Sequence, residues 1–118
     1  MELKRVVVTG LGALTPVGNT VAEAWENLVN GVSGAGPITR FDASKFKTQF
    51  ACEVKNFNVA DFIDRKEARK MDLYAQYAIV AAKEAIEDSA MDLESVDKNK
   101  IGVIFGVGIG GIRTFEEE

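Results

Sequence analysis

The sequence predicts an α/β fold, and three observations carry that prediction. A β-branched run near the N-terminus leads through a glycine turn into a capped helix, a long alanine-rich helix occupies the middle, and a second apolar run ends in glycines near the C-terminus. Residues 5–9 (Arg5, Val6, Val7, Val8, Thr9) have apolar side chains facing both ways, as in a strand covered on both sides of a parallel sheet. Gly10, Leu11 and Gly12 turn the chain, and Pro16 and Gly18 extend the loop. Thr20 followed three residues later by Glu23 is a capping box, in which hydroxyl and carboxylate satisfy N–H groups left free at a helix start. The helix it opens runs to about Asn30, ends at Gly31, and presents Val21, Trp25, Leu28 and Val29 as its apolar face.

Residues 31–48 read as irregular, and 50–55 as a short strand with Phe50, Cys52 and Val54 on one face. Asn58 is placed to cap a short helix beginning near Val59, with Asp61 at its third position. The clearest element is a helix over residues 72–89. Its apolar positions wrap most of the cylinder, so it needs cover on more than one side, and Ala75, Ala78, Ala81, Ala82 and Ala85 permit close approach. Residues 101–107 read as a buried strand and residues 108–111 as a tight turn, with Thr114 and Glu117 as a second capping box. A helix is costly to nucleate until about 12–15 residues are committed. The chain is therefore expected to be an incomplete N-terminal part, residues 1–118, of a larger α/β enzyme.

Composition removes several classes of function. The 118 residues include no histidine, which excludes imidazole acid/base catalysis and histidine metal ligation within them. No metal site and no cofactor is expected. A net charge of −4 argues against wholesale binding to nucleic acid or an anionic membrane. The single cysteine cannot form an internal disulfide, which suits a cytoplasmic setting. The apolar run after Lys4 and Arg5 is too short for a signal peptide, and no stretch approaches the ~18 residues of a membrane helix.

Gly10-x-Gly12 has part of a dinucleotide fingerprint, but Thr15 stands where the third glycine belongs and the helix starts too late. A plain glycine turn is the better reading, and a small nucleotide-binding domain is correspondingly disfavoured. Gly106, Gly108, Gly110 and Gly111 make a thin wall from which Ile109 can project into a cavity. Cys52 sits mid-strand beside Glu53, which disfavours a thiolate, so a buried structural cysteine is expected rather than a nucleophile. In the charged stretch 64–72, Lys66, Arg69 and Lys70 share one face if the backbone is helical. That face either steers an anionic partner or is a solvated surface with local pairs such as Glu67 with Lys70.

Taken together, residues 5–12, 15–19, Phe41-Asp42, 65–72 and 106–111 resemble, in order and spacing, the β-ketoacyl-acyl carrier protein synthases, nearest to the elongating synthase II type. The resemblance implies a thiolase-like fold, with two βαβ-rich halves in α-β-α-β-α layers, of which this chain holds the first part of the N-terminal half. It implies a homodimer and decarboxylative Claisen condensation of an acyl thioester with malonyl-carrier protein in fatty-acid elongation. It also implies that the nucleophilic cysteine and two histidines lie beyond residue 118, so no residue here is catalytic. Two roles transfer by position. Lys66, Arg69 and Lys70 match the family's basic patch for acyl carrier protein, and Gly108 and Ile109 match the turn lining the acyl pocket. The competing expectation is a non-catalytic carrier-protein-binding or dimerisation module.

Overall fold

The computed structural model describes residues 3–117 and divides into two compact units. One is Ala13–Asn58; the other joins Met1–Gly12 to Val59–Glu118.

The Ala13–Asn58 unit is stitched by short-range polar bonds. Thr15 and Gly18 form an isolated antiparallel bridge that closes the loop before helix α1 (Val21–Val29). The expected N-terminal box forms with one arm displaced: the Glu23 N–H donates to Thr20 Oγ1 at 3.2 Å, but Glu23 Oε2 accepts the N–H of Asn19, one residue before the cap, at 2.7 Å. The far end is a Schellman motif. Gly31 takes a left-handed φ of +68°, so that Gly31 N–H reaches the Leu28 carbonyl and Val32 N–H the Asn27 carbonyl. Helix α1 turns Ala24 inward, whereas Trp25, Leu28 and Val29 of the expected apolar face are exposed.

Strands β1 (Gly36–Pro37) and β2 (Phe50–Ala51) pair antiparallel, with Gly36 opposite Ala51 and Pro37 opposite Phe50. This ribbon is shorter than the strand expected over 50–55. Past Ala51 the next residue opposite is Ala35, whose N–H goes to Ser33 Oγ (3.2 Å), and Glu53 turns its side chain to Thr39, the carboxylate accepting both the hydroxyl (2.6 Å) and the backbone N–H (3.1 Å). Between the strands, Asp42 Oδ1 accepts the Ser44 N–H, Phe41 packs edge-on against Phe46 at 5.6 Å, and Ala43 is buried.

In the second unit, a 3-10 turn at Val59–Asp61 precedes helix α2 (Arg65–Ala68), helix α3 (Leu73–Asp88), a 3-10 turn at Lys98–Lys100 and helix α4 (Ile112–Glu117). Helix α3 is the organiser, and its alanines do what their size allows. Residues 10–12 lie directly against its backbone. A Cβ on Gly12 would strike the Ala81 carbonyl and come 2.7 Å from Ala85 N, while one on Gly10 would strike the Ala85 carbonyl and come 2.8 Å from Ser89 Cβ. Asp88 fastens the approach, its Oδ2 accepting the Leu11 N–H at 2.9 Å. The glycine pair is thus a packing device of a backbone laid on a helix, in keeping with the failed dinucleotide spacing.

The two runs expected as buried strands depart from expectation. Among the described residues, 5–9 and 101–107 join no ladder, and Val6 (89%), Val8 (80%) and Ile104 (97%) are largely exposed. A β-branched run apolar on both faces needs a hydrogen-bonding neighbour and cover above and below; among the described residues neither run has the neighbour or the cover on both faces. In 101–107 the odd residues Val103, Phe105 and Val107 face an apolar groove on α3, whereas the even residue Ile104 does not. The period-2 pattern is present, but the groove-facing side is itself only partly covered, Val103 being 80% and Phe105 52% exposed.

Candidate functional site

Asp64 begins the charged stretch as the N-cap of α2, its Oδ1 accepting the Lys66 N–H at 2.8 Å. The helix lasts only to Ala68, so Arg69 is its C-cap and Lys70 falls in the following turn. Backbone bonds Arg69 N–H to Arg65 and Lys70 N–H to Glu67 keep the turn helical enough to hold the three cations close in sequence at an exposed corner. Lys70 is tied to Glu67 at 2.7 Å, the local pair foreseen from the sequence, whereas neither Lys66 nor Arg69 enters an ion pair among the described residues. A residue missed from the sequence braces this corner from behind. Gln76, on the first turns of α3, donates through Nε2 to the carbonyls of Ala68 (3.0 Å) and Met71 (3.1 Å). Its only sequence signal is a lone amide amid Leu73, Tyr74, Tyr77 and Ala78.

At the other motif, Gly108 has open space around its α-carbon, Ile109 is 83% exposed, and Gly110 adopts a left-handed φ of +72°. The second capping box is not formed. Helix α4 starts at Ile112, with Phe115 N–H already bonded to the Gly111 carbonyl, which puts Thr114 inside the helix. Its hydroxyl donates instead to Asp72 Oδ1, at the N-cap of α3. Gly111 crowds the same carboxylate, since a Cβ there would strike it. Asp72 therefore links the end of the basic stretch to the glycine loop, a role that spacing along the chain does not reveal.

Along α3 lies an apolar groove of about 690 Å³, walled by Ala78, Ala82 and Ile86 of the helix and by Val103, Phe105 and Val107. Val107 ends the wall on the glycine-loop side, and Ile109 stands outside it. The Ala13–Asn58 unit has a polar cleft of about 240 Å³, including Asn19, Asn27, Ser33 and Lys55. Its donors are spent internally. Lys55 Nζ donates to the carbonyls of Pro16 (3.1 Å) and Gly34 (2.6 Å), Asn27 Nδ2 to Val17, and Asn19 Nδ2 to the Lys55 carbonyl.

Cys52 corrects an expectation: it is exposed, not buried, because β2 ends at Ala51 and leaves it outside the ladder. The chain has no histidine, and the carboxylate of the neighbouring Glu53 is engaged by Thr39. Among the described residues no cluster of potential ligands suits a metal ion, and no helix is long and apolar enough to cross a membrane.

Against known proteins, residues 3–118 match the β-ketoacyl synthase N-terminal domain family. The chain is 53% identical over 113 residues to a 3-oxoacyl-[acyl-carrier-protein] synthase 2 of Staphylococcus aureus (strain COL), covering 96% of this chain and 27% of that protein. It thus spans about a quarter of the length of the curated relatives it matches. Among solved structures, the ishigamide ketosynthase/chain length factor superposes with a TM-score of 0.69 at 37% identity, over 76% of this chain and 22% of that one. A type II PKS acyl-carrier protein in complex with its ketosynthase bound to the hexaketide gives a TM-score of 0.63 at 28% identity, over 83% and 24%. These likenesses carry the thiolase-like fold. On the family match along nearly its whole length, the chain belongs to the β-ketoacyl synthase N-terminal domain family.

Proposed function

We propose that this chain is the N-terminal segment of a 3-oxoacyl-[acyl-carrier-protein] synthase that elongates fatty acyl chains by decarboxylative Claisen condensation. The observation that carries the reading is the 53% identity to a synthase 2 sustained across 96% of the chain. In the reaction an acyl group passes from its carrier to an enzyme thiol. Malonyl-carrier protein then loses carbon dioxide, and the resulting carbanion attacks the acyl thioester carbonyl. A carbon–carbon bond forms, the carbon–sulfur bond breaks, and the thiol returns as a 3-oxoacyl carrier leaves two carbons longer. None of these covalent steps is assigned to residues 1–118. The complete protein is read as a homodimer of α-β-α-β-α layered subunits working in the cytoplasm.

Two contributions belong to this segment. Lys66, Arg69 and Lys70 form the docking corner for acyl carrier protein; one of the structural relatives is itself a ketosynthase bound to such a protein. Gly108 and Ile109 line the acyl pocket, where Ile109 yields as the alkyl chain lengthens and each buried CH2 gains about 0.8 kcal/mol.

The test uses the complete synthase. Exposed ionic contacts are worth about 0.2–1 kcal/mol, so Lys66→Ala and Arg69→Ala should each raise KM for carrier-borne substrate by about 1.4- to 5-fold and flatten its salt dependence. The same rise with small-thiol thioesters would remove the docking role. Condensation by purified residues 1–118 alone would overthrow the placement of the chemistry elsewhere.

A further inference from the structure

We propose that Asp72 is the positioning residue of the glycine loop, holding residues 108–111 to the start of α3 and so setting how readily the loop yields to a long acyl chain. The proposal rests on the reading of Gly108 and Ile109 as pocket wall.

The signal is a carboxylate used in an unusual way. An aspartate at an N-cap ordinarily accepts an N–H from the first turn of its own helix. Asp72 has the extended backbone of an N-cap (φ −62°, ψ 156°), and its carbonyl accepts the N–H groups of Ala75 and Gln76, but its side chain makes no cap bond. The carboxylate reaches instead to a hydroxyl 42 residues further on, accepting from Thr114. At Gly111 it also meets a bare α-carbon, where any side chain would strike it. Two contacts from one carboxylate thus bracket the loop's C-terminal side, one at its last glycine and one a turn into α4. On the N-terminal side, Gly106 and Gly108 have no atom within reach of an added Cβ. The loop is therefore anchored at one end and open at the other. Asp72 is itself held: Gln76 ties the preceding turn to α3, fixing the backbone from which the carboxylate projects. Cutting the Thr114 contact should loosen the anchored end and let Ile109 swing aside at lower cost.

The experiment compares kcat/KM for long and short acyl primers in the complete synthase. Thr114→Val removes the hydroxyl while keeping the shape of an exposed side chain, and should raise the long-to-short ratio by about twofold to tenfold, the range of one net hydrogen bond. Asp72→Ala should move the ratio the same way, the double variant no further than either single one, and Thr114→Ser and Asp72→Asn should restore the wild-type profile. Equal losses for all primers, or an unchanged ratio in Thr114→Val, would overturn the assignment. Ile109→Phe, run alongside, separates the layers of the argument. If it penalises long primers while Thr114→Val does nothing, Asp72 alone loses its role; if it too leaves the profile flat, the pocket reading falls and takes the proposal with it.

Discussion

Residues 13–58 and the segments gathered on α3 hold their shape by opposite means. The first unit relies on polar bonds between near neighbours and on internal latches such as Lys55 to the Pro16 and Gly34 carbonyls. It buries little, leaving Trp25, Leu28 and Val29 in solvent. The second relies on fit. Backbone at residues 10–12 lies on Ala81 and Ala85 with no room for a methyl group, and the odd residues of 101–107 face the same helix. Short polar bonds tolerate change one at a time, because each contributes about 0.5–1.5 kcal/mol. Backbone-to-backbone packing does not, because no rotamer can move out of the way. The first unit has such a point at Gly18, where a Cβ would strike Ala24 N, so the contrast is one of balance, and the brittle places are the glycines laid on helix backbone.

The sharpest way to break the comparison is a single methyl group. Gly12→Ala places a Cβ in the Ala81 carbonyl and should cost about 3 kcal/mol, the upper end of overpacking, with Gly10→Ala close behind. Gly36→Ala in the other unit meets nothing within 4 Å and should stay within about 0.5 kcal/mol. Urea unfolding of the three variants measures this. A Gly12→Ala protein as stable as Gly36→Ala would show that the approach to α3 is loose, and the contrast between the units would vanish.

The same division governs what could be read in advance. Helix α1 was legible to its caps because Thr20, Glu23 and Gly31 act within one or two turns of where they stand. The extent of α3 was legible from composition, as was the role of its alanines. The basic corner was found, and so was its Glu67–Lys70 pair. What failed was whatever depends on a distant neighbour. Thr114 followed by Glu117 has the letters of a capping box, yet its hydroxyl serves Asp72. Cys52 had a buried strand's alternation, but Ala35, the residue that would face it, gives its N–H to Ser33 Oγ instead of to the ladder. Residues 5–9 and 101–107 have a strand's side chains with no ladder partner among the described residues.

Two threonines with the same apparent motif sharpen the point at a smaller scale. Thr20→Ala removes the acceptor of the Glu23 N–H and should cost about 1 kcal/mol, with faster hydrogen exchange confined to the first turn of α1. Thr114→Ala removes no cap, because α4 begins two residues earlier; it removes the tether to Asp72, so any faster exchange at the start of α4 should be matched by Asp72→Ala. Faster exchange in Thr114→Ala that Asp72→Ala does not reproduce would restore Thr114 as a cap.

The smallest expected effect is a matter of pH. Glu53 is held below the usual carboxylate range, chiefly by the Thr39 hydroxyl and then by the Thr39 N–H, with the charge of Arg40 adding to it. A carboxylate whose folded value is depressed binds protons less readily folded than unfolded. Its contribution is therefore complete above the ordinary glutamate range and is lost as acid carries the pH down through the folded value. The side chain is open to water, so global stability should barely register the change; the Thr39 amide should. Its NMR shift should hold steady from neutral pH to the ordinary glutamate range and move only below it, while Glu53→Gln should abolish the titration and leave α1 undisturbed. A Thr39 amide that titrates at the ordinary value would mean that the two hydrogen bonds are not kept in solution, and that even the polar stitching of residues 13–58 is weaker than its geometry implies.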